Sequence, residues 1–209
     1  MDTYMEDGLT RELAAARVCQ DVVLKAISIG PLNRNITIKG GVVMRSITNN
    51  HRRATRDIDL DFIHYSIADD SIRLFVDKLN CIDGLNIEMS GEIKELKHQD
   101  YHGKSIEVII SDAFGNSVSS KIDIGVHKDL DIEQEEFCFD VCMDENGASL
   151  LKNTVEQSFA EKLRSLLIFG SNSRRYKDIY DMYYLRTVAI RNKLVDLISH
   201  YIFSDSGMR

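Results

Sequence analysis

The chain has 209 residues, 44% hydrophobic and 28% charged, which is material for one large domain or a domain with a helical appendage. Its formal net charge of -7 argues against a broad DNA-coating surface, although a local basic patch can still bind RNA or nucleotide phosphates. No apolar run approaches the ~20 residues that span a bilayer, and the acidic start MDTYMEDGLTREL lacks a signal-peptide pattern, so a cytoplasmic protein without a membrane partner is expected.

In chain order, residues 7–29 place Leu13, Val18, Val22 and Ile27 near helical spacing, and Gly30-Pro31 stops the helix. NITIKGG reads as a short strand ending on two glycines, VVMRSIT as a brief helix and NNHRRAT as a polar loop. DIDLDFIHY alternates with period two, apolar side chains on one face and carboxylates on the other. Residues 66–80 look helical, with Ile72, Phe75, Val76 and Leu79 on one side. Strand signals dominate from about Asn86 to Met143 and include a hairpin around AFGN. Cys138 and Cys142 fall in the strand pattern EFCFDVCM, roughly 13 Å apart at the rise of a strand. That is too far for a disulfide or a shared metal, so the four cysteines read as structural thiols. After Gly147 the pattern turns helical, in NTVEQSFAEKLRSLLIFG, RRYKDIYDMYYLRTVAI and RNKLVDLISHYIF. The simplest organisation is an α/β core over residues 1–150 and a helical region, 151–209, packed on it.

Chemistry concentrates in three places. Asp57 and Asp59 share a strand face at roughly 6–7 Å, and two carboxylates so placed repel unless something positive lies between them. A hard divalent cation such as Mg²⁺ answers that need, and a solvated acidic edge strand is the alternative. Asp123 in KIDIGVH offers a third carboxylate if its strand neighbours the first. Three would suit two-metal phosphoryl transfer, although Asp123 could equally be one surface acid among 33 acidic residues. Gly40 and Gly41, between a strand and a helix, let backbone N–H groups approach a phosphate, or simply make a tight turn. No Walker loop is present. The histidines form no HExxH pair, and His51 lies in the arginine-rich loop. Tyr180, Tyr183 and Tyr184 sit at helical spacing, which suits core packing or one side chain lining a nucleotide pocket.

The stretch KGGVVMRSITNNHRRATRDIDLDF resembles the signature of the AbiEii/AbiGii toxin-type nucleotidyltransferases, in the polymerase-β-like superfamily. That signature is a strand, GG, a helix, then R-x-[ST]-x-D-[IL]-D, whose positions Arg53, Thr55, Asp57 and Asp59 fill. Further motifs follow in order: K-x-D-[IV] at Lys121 to Ile124, a helical E-K-[LI] at Glu161 and Lys162, and R-x-K-D-[IL]-[YW]-D in RYKDIYD. The last supplies Arg175, Lys177, Asp178 and Asp181. The resemblance runs from about Ile36 to Leu185, and the order of four motifs makes it specific.

It implies an α+β fold, a polymerase-β-like core of mixed sheet and flanking helices followed by a C-terminal helical segment. It also implies that Asp57, Asp59 and Asp123 hold Mg²⁺ or Mn²⁺, with Asp123 activating the acceptor hydroxyl. Gly40, Gly41, Arg53 and Thr55 would then bind the nucleotide, Lys162 its phosphates, and Lys177 and Asp178 would join the catalytic set. Lys177 and Asp181 stand four apart on a helix, so a surface ion-pair network is the competing reading of that block. Arg45, Arg52, Arg53 and Arg56 could serve NTP or RNA phosphates. Asp61 has no place in the pattern and reads as solvent-facing or as supporting its neighbours.

The activity implied is transfer of an NMP from an NTP to a hydroxyl, with a tRNA 3′ end or a protein as acceptor and a cognate antitoxin as partner. Two other readings remain: nucleotidylation of a cationic small molecule of the aminoglycoside type, which an acidic protein suits, and a catalytically silent binding module. The full set of Asp57, Asp59 and Asp123 argues against the last.

Overall fold

Period-two alternation decides how the centre of the chain is built. In a computed structural model describing residues 1–48, 55–96, 103–127, 134–170, 176–187 and 191–203, the chain divides into two compact units, Met1–Lys152 and Asn153–Arg209. The first holds strands β1 (Ile36–Lys39), β2 (Ile58–Phe62), β3 (Leu85–Leu96), β4 (Gly103–Asp112), β5 (Ser117–Val126), β6 (Glu135–Val141) and β7 (Asp144–Lys152). Its helices are α1 (Asp2–Glu6), α2 (Arg11–Ile29), α3 (Gly40–Thr48) and α4 (Asp69–Lys78). The second unit carries α5 (Val155–Phe169), α6 (Tyr176–Leu185) and α7 (Arg191–Phe203), with α6 and α7 packed on α5. This is the α+β class that the sequence implies, a mixed sheet with flanking helices followed by a helical segment.

The sheet runs in the order β3-β4-β5-β2-β1-β7-β6. β2 is antiparallel to β1 and parallel to β5, while β1 is parallel to β7. Ile58, Leu60 and Phe62 of β2 join Ile36 and Ile38 of β1 and Ile122 and Ile124 of β5 in one buried face under α2 and α4. Phe62 is fully enclosed and meets Tyr65 and Phe75 edge-on, with ring centroids 5.0 and 5.3 Å apart. Burying such side chains contributes about 1.5–3 kcal/mol each, which fixes the strand register firmly. The opposite face of the same strands carries Lys39, Asp59, Asp61, Lys121, Asp123 and Gly125. A slip of one residue would bury that charged row and expose the isoleucines.

Three local expectations are corrected. The long helix begins at Arg11 rather than near Asp7, because the Thr10 side chain caps it by accepting the Leu13 N–H, and the short α1 lies ahead of it. Strands do not end at Met143: residues 144–152 form β7, which bridges β1 and β6. The run ENGAS hid that strand, since only Ala148 and Leu150 mark its apolar alternation. Tyr180, Tyr183 and Tyr184 are not core residues; all three are exposed on α6. The described cysteines are free thiols, and burial pushes Cys19 up to about 12.

One buried polar knot fastens the N-terminal helices. Asp21 on α2 is fully buried, with Arg17 Nε 3.2 Å away, the Cys142 N–H donating at 3.0 Å and the Tyr4 hydroxyl donating from α1. Burial pushes the Asp21 carboxyl above its ordinary value, against the opposing pull of the Arg17 charge and of the hydrogen bonds from Tyr4 and Cys142. Removing the acceptor strands two donors and leaves the Arg17 guanidinium without its counter-charge. Asp21→Ala is therefore expected to lower unfolding free energy by about 3 kcal/mol, and Asp21→Asn by less, as measured by urea denaturation.

Candidate active site

Parallel pairing of β2 and β5 sets Asp59 directly opposite Asp123, and Asp57 lies just ahead of β2. The carboxylates proposed from the sequence are thus brought side by side, Asp57 and Asp59 at the start of β2 and Asp123 within β5. Lys121, two residues before Asp123 and on the same strand face, places its Nζ 3.0 Å from Asp123 Oδ2 and 3.5 Å from Asp57 Oδ2. Lys39, the partner of Asp59 across β1, sits 2.6 Å from Asp61 Oδ1. Asp61 is buried in that ion pair, so the solvent-facing reading of it does not hold. Burial pushes the Asp59 carboxyl above its ordinary value; Lys39 opposes this, Asp123 and Asp57 add to it, and the Gly41 N–H pulls it back. Asp123 Oδ1 is buried without a hydrogen-bond partner.

The two glycines are shaped around Asp59. Gly40 opens α3 with φ +66°, and a Cβ there would lie 2.1 Å from Asp59 Oδ2. The Gly41 N–H donates to the same carboxylate, so the positive end of α3 is directed at Asp59. Gly125 on β5 is constrained in the same way, since a Cβ there would lie 2.1 Å from Asp61 Oδ1.

The segment leading into Asp57 is held by its carbonyls. Gln20 Nε2 donates to the Thr55 carbonyl at 3.1 Å, and Ser120 Oγ to the Arg56 carbonyl at 2.7 Å. The Thr55 hydroxyl donates to the Asp57 carbonyl at 3.4 Å, so in this structure Thr55 shapes the approach to the aspartate. Arg45 is buried and donates to Gln20, while Arg56 pairs with the exposed Glu12 at 2.9 Å. The arginine cluster therefore divides: Arg45 supports the fold, Arg56 lies at the surface, and His51, Arg52 and Arg53 lie outside the described residues.

In the second unit Lys162 on α5 meets Asp178 at 3.0 Å and Asp181 at 2.8 Å, both on α6. Asp181 is fully buried, and Lys177 is exposed, so the i, i+4 pair expected on α6 gives way to a pairing between helices. Glu161 accepts from Asn153 and from Gln157, each at 3.1 Å. Arg175 lies outside the described residues.

Sequence reasoning overlooked Lys39, Gln20 and Ser120, and used Lys121 only as a motif letter. The alternation in KID was the available signal, because it puts Lys121 beside Asp123 on one face. Among the described residues no three His, Cys, Asp or Glu side chains converge on a metal position as they stand. An ammonium reaches both Asp57 and Asp123 instead. The donor set itself fits a hard divalent cation: three carboxylates on two rigid strands, one with an orphaned oxygen, and a cation already among them.

Two consequences can be measured. Gly40→Ala forces an L-residue into a left-handed conformation at roughly 1–2 kcal/mol and displaces Asp59; a lowered melting temperature is expected, together with loss of any Asp59-dependent activity. For Asp59 itself, the folded-state pKa lies above the unfolded one, so in that window the native state keeps a proton the unfolded chain has released. Stability then falls as pH rises from about 4 through the raised value. Asp59→Asn cannot ionise, so its stability relative to wild type should climb over that window in urea titrations at successive pH values.

The family model described as nucleotidyl transferase AbiEii toxin, type IV TA system, matches residues 22–207. Solved structures that share the fold include an antigenic nucleotidyltransferase-like protein from Paracoccidioides brasiliensis, at 14% identity and TM-score 0.53, covering 94% of this chain and 90% of that one. The antibiotic-resistance factor ANT(2'')-Ia in solution is also similar, at 14% identity and TM-score 0.53 over 91% of this chain and 92% of its own. The same factor in complex with adenylyl-2''-tobramycin matches at 14% identity and TM-score 0.53, over 90% and 97% of the two chains. No curated protein matches the sequence. With the family model covering most of the chain, and a nucleotidyltransferase fold beneath it, this protein belongs to the AbiEii family of nucleotidyltransferase toxins.

Proposed function

We propose that the protein transfers an NMP from an NTP to a hydroxyl acceptor in a Mg²⁺- or Mn²⁺-dependent reaction, as the toxin of a toxin–antitoxin or phage-defence pair in the cytoplasm. The observation that carries this reading is Asp59 held opposite Asp123 in parallel register, with Asp57 leading in and the Gly40-Gly41 helix start against them. In the reaction the acceptor oxygen bonds to the α-phosphorus, the bond from that phosphorus to the bridging oxygen breaks, and pyrophosphate leaves. Asp57, Asp59 and Asp123 would hold the divalent cation, which supplies charge neutralisation on the triphosphate and a more acidic acceptor hydroxyl. Asp123 takes that hydroxyl's proton. By the family resemblance, Gly40, Gly41, Arg53 and Thr55 would bind the nucleotide, and Lys162, Lys177 and Asp178 would serve as its phosphate-binding and catalytic residues; Asp178 pairs with Lys162.

The toxin family, of a type IV toxin–antitoxin system, supports a cognate antitoxin as partner; the acceptor in this reading is a tRNA 3′ end or a protein. A net charge of -7 favours a second reading, in which a cationic small molecule takes the nucleotidyl group. The structural neighbour ANT(2'')-Ia was solved in complex with adenylyl-2''-tobramycin.

One assay separates the readings: pure protein with each α-labelled NTP and Mg²⁺, offered total tRNA, lysate protein or aminoglycosides. Label should pass from a preferred NTP to one acceptor class, and Asp59→Asn or Asp123→Asn should lower the rate by roughly 10²–10³-fold or more. Undiminished transfer in Asp57→Ala/Asp59→Ala sinks the assignment. No transfer, with no Mg²⁺-dependent NTP binding, leaves a binding module.

A further inference from the structure

We infer that Lys121 is a tethered stand-in for the site's divalent cation, neutralising Asp57 and Asp123 when no metal is held and leaving when one is. This rests on the reading of Asp57, Asp59 and Asp123 as the metal carboxylates. Its own support is the contrast between two lysines on one sheet face. Lys39 is closed in, its side chain 12% exposed and paired with Asp61 at 4%, and Gly125 packs against both. That pair is fixed. Lys121 reaches Asp123 and Asp57 with a side chain 44% exposed, and Asp57 is 46% exposed. Ile122 and Ile124, fully buried on the other face, anchor its strand, so the backbone stays while the four-carbon stem can turn.

An ammonium and a divalent ion cannot share the gap between the same two carboxylates without strong repulsion. Whichever is bound excludes the other. The displaced ammonium has somewhere to go, because exposed Glu107 is the register partner of Lys121 on β4. A polyanionic triphosphate arriving with its metal would offer a better destination. Free metal alone therefore meets a competitor, whereas a metal–nucleotide complex supplies both the replacement cation and a new partner for the amine. Lys121 would thus couple metal loading to nucleotide.

The test needs no catalysis. Binding of Mn²⁺ without nucleotide is followed by the paramagnetic resonance of the free ion, for wild type, Lys121→Met, Lys121→Arg and Asp123→Asn. Lys121→Met should bind Mn²⁺ at least tenfold more tightly than wild type, and Lys121→Arg about as weakly as wild type. Metal-free Lys121→Met should also melt below wild type, and Mn²⁺ should raise its melting temperature further than it raises the wild type's. Should Lys121→Met fail to fold, Lys121→Gln carries the same expectation. Equal or weaker binding by Lys121→Met, with wild-type binding lost in Asp123→Asn, overturns the role of Lys121 and leaves the metal site standing. Absence of saturable Mn²⁺ binding in both wild type and Lys121→Met overturns the metal-site reading and this inference with it.

Discussion

Repulsion between like charges on one sheet face is the constraint around which the first unit is arranged. Asp59, Asp61 and Asp123 lie on two adjacent parallel strands with Asp57 just ahead of the first, and carboxylates so placed repel one another unless cations lie among them. The compensation is distributed. Lys39 neutralises Asp61 and draws on Asp59, Lys121 bridges Asp57 and Asp123, and the Gly41 N–H brings the start of α3 to Asp59. What lets the fold carry the residual strain is the reverse side of the same strands. Ile58, Leu60, Phe62, Ile122 and Ile124 are all fully buried, and their burial holds the register that keeps the carboxylates facing one another. The core and the site are two faces of one alternation.

The glycines show how finely that arrangement is tuned. Gly40 and Gly125 each leave room for a carboxylate oxygen where a methyl group would collide, one beside Asp59 and the other beside Asp61. Each is small for the sake of an acid on the neighbouring strand. A glycine pair read from sequence as a phosphate cradle is, in the structure, first a cradle for Asp59.

Local periodicity made β2, the β4–β5 hairpin, α2, α4 and the apolar face of the core legible, because those signals span only a few residues. Partnerships formed over long separations were not legible. Lys39 with Asp61, Gln20 with the Thr55 carbonyl and Tyr4 with Asp21 follow from strand order and helix placement, which no short window encodes. β7 was missed because a polar ENGAS run masks two inward positions. On α6 the spacing rule suggested that Lys177 meets Asp181, but helix packing outranks it: Asp181 turns inward to Lys162 on α5, with Asp178 beside it. Two motifs that read separately along the chain are thereby halves of one ion cluster in the second unit.

Charge also bears on how the protein, with a net charge of -7, could attract a polyanionic nucleotide at all. The described lysines beside the carboxylates of the first unit are already committed: Lys39 to a buried aspartate and Lys121 to two carboxylates. On the proposed reading, long-range attraction offers little, and a triphosphate would arrive with its own neutralising charge. On the proposed reading this is an advantage. A site whose carboxylates are bridged by its own amine would hold free metal only weakly, and would load more readily when metal and nucleotide arrive together. For a toxin, a preference for the two delivered together would be a selectivity that affinity for either component alone could not provide.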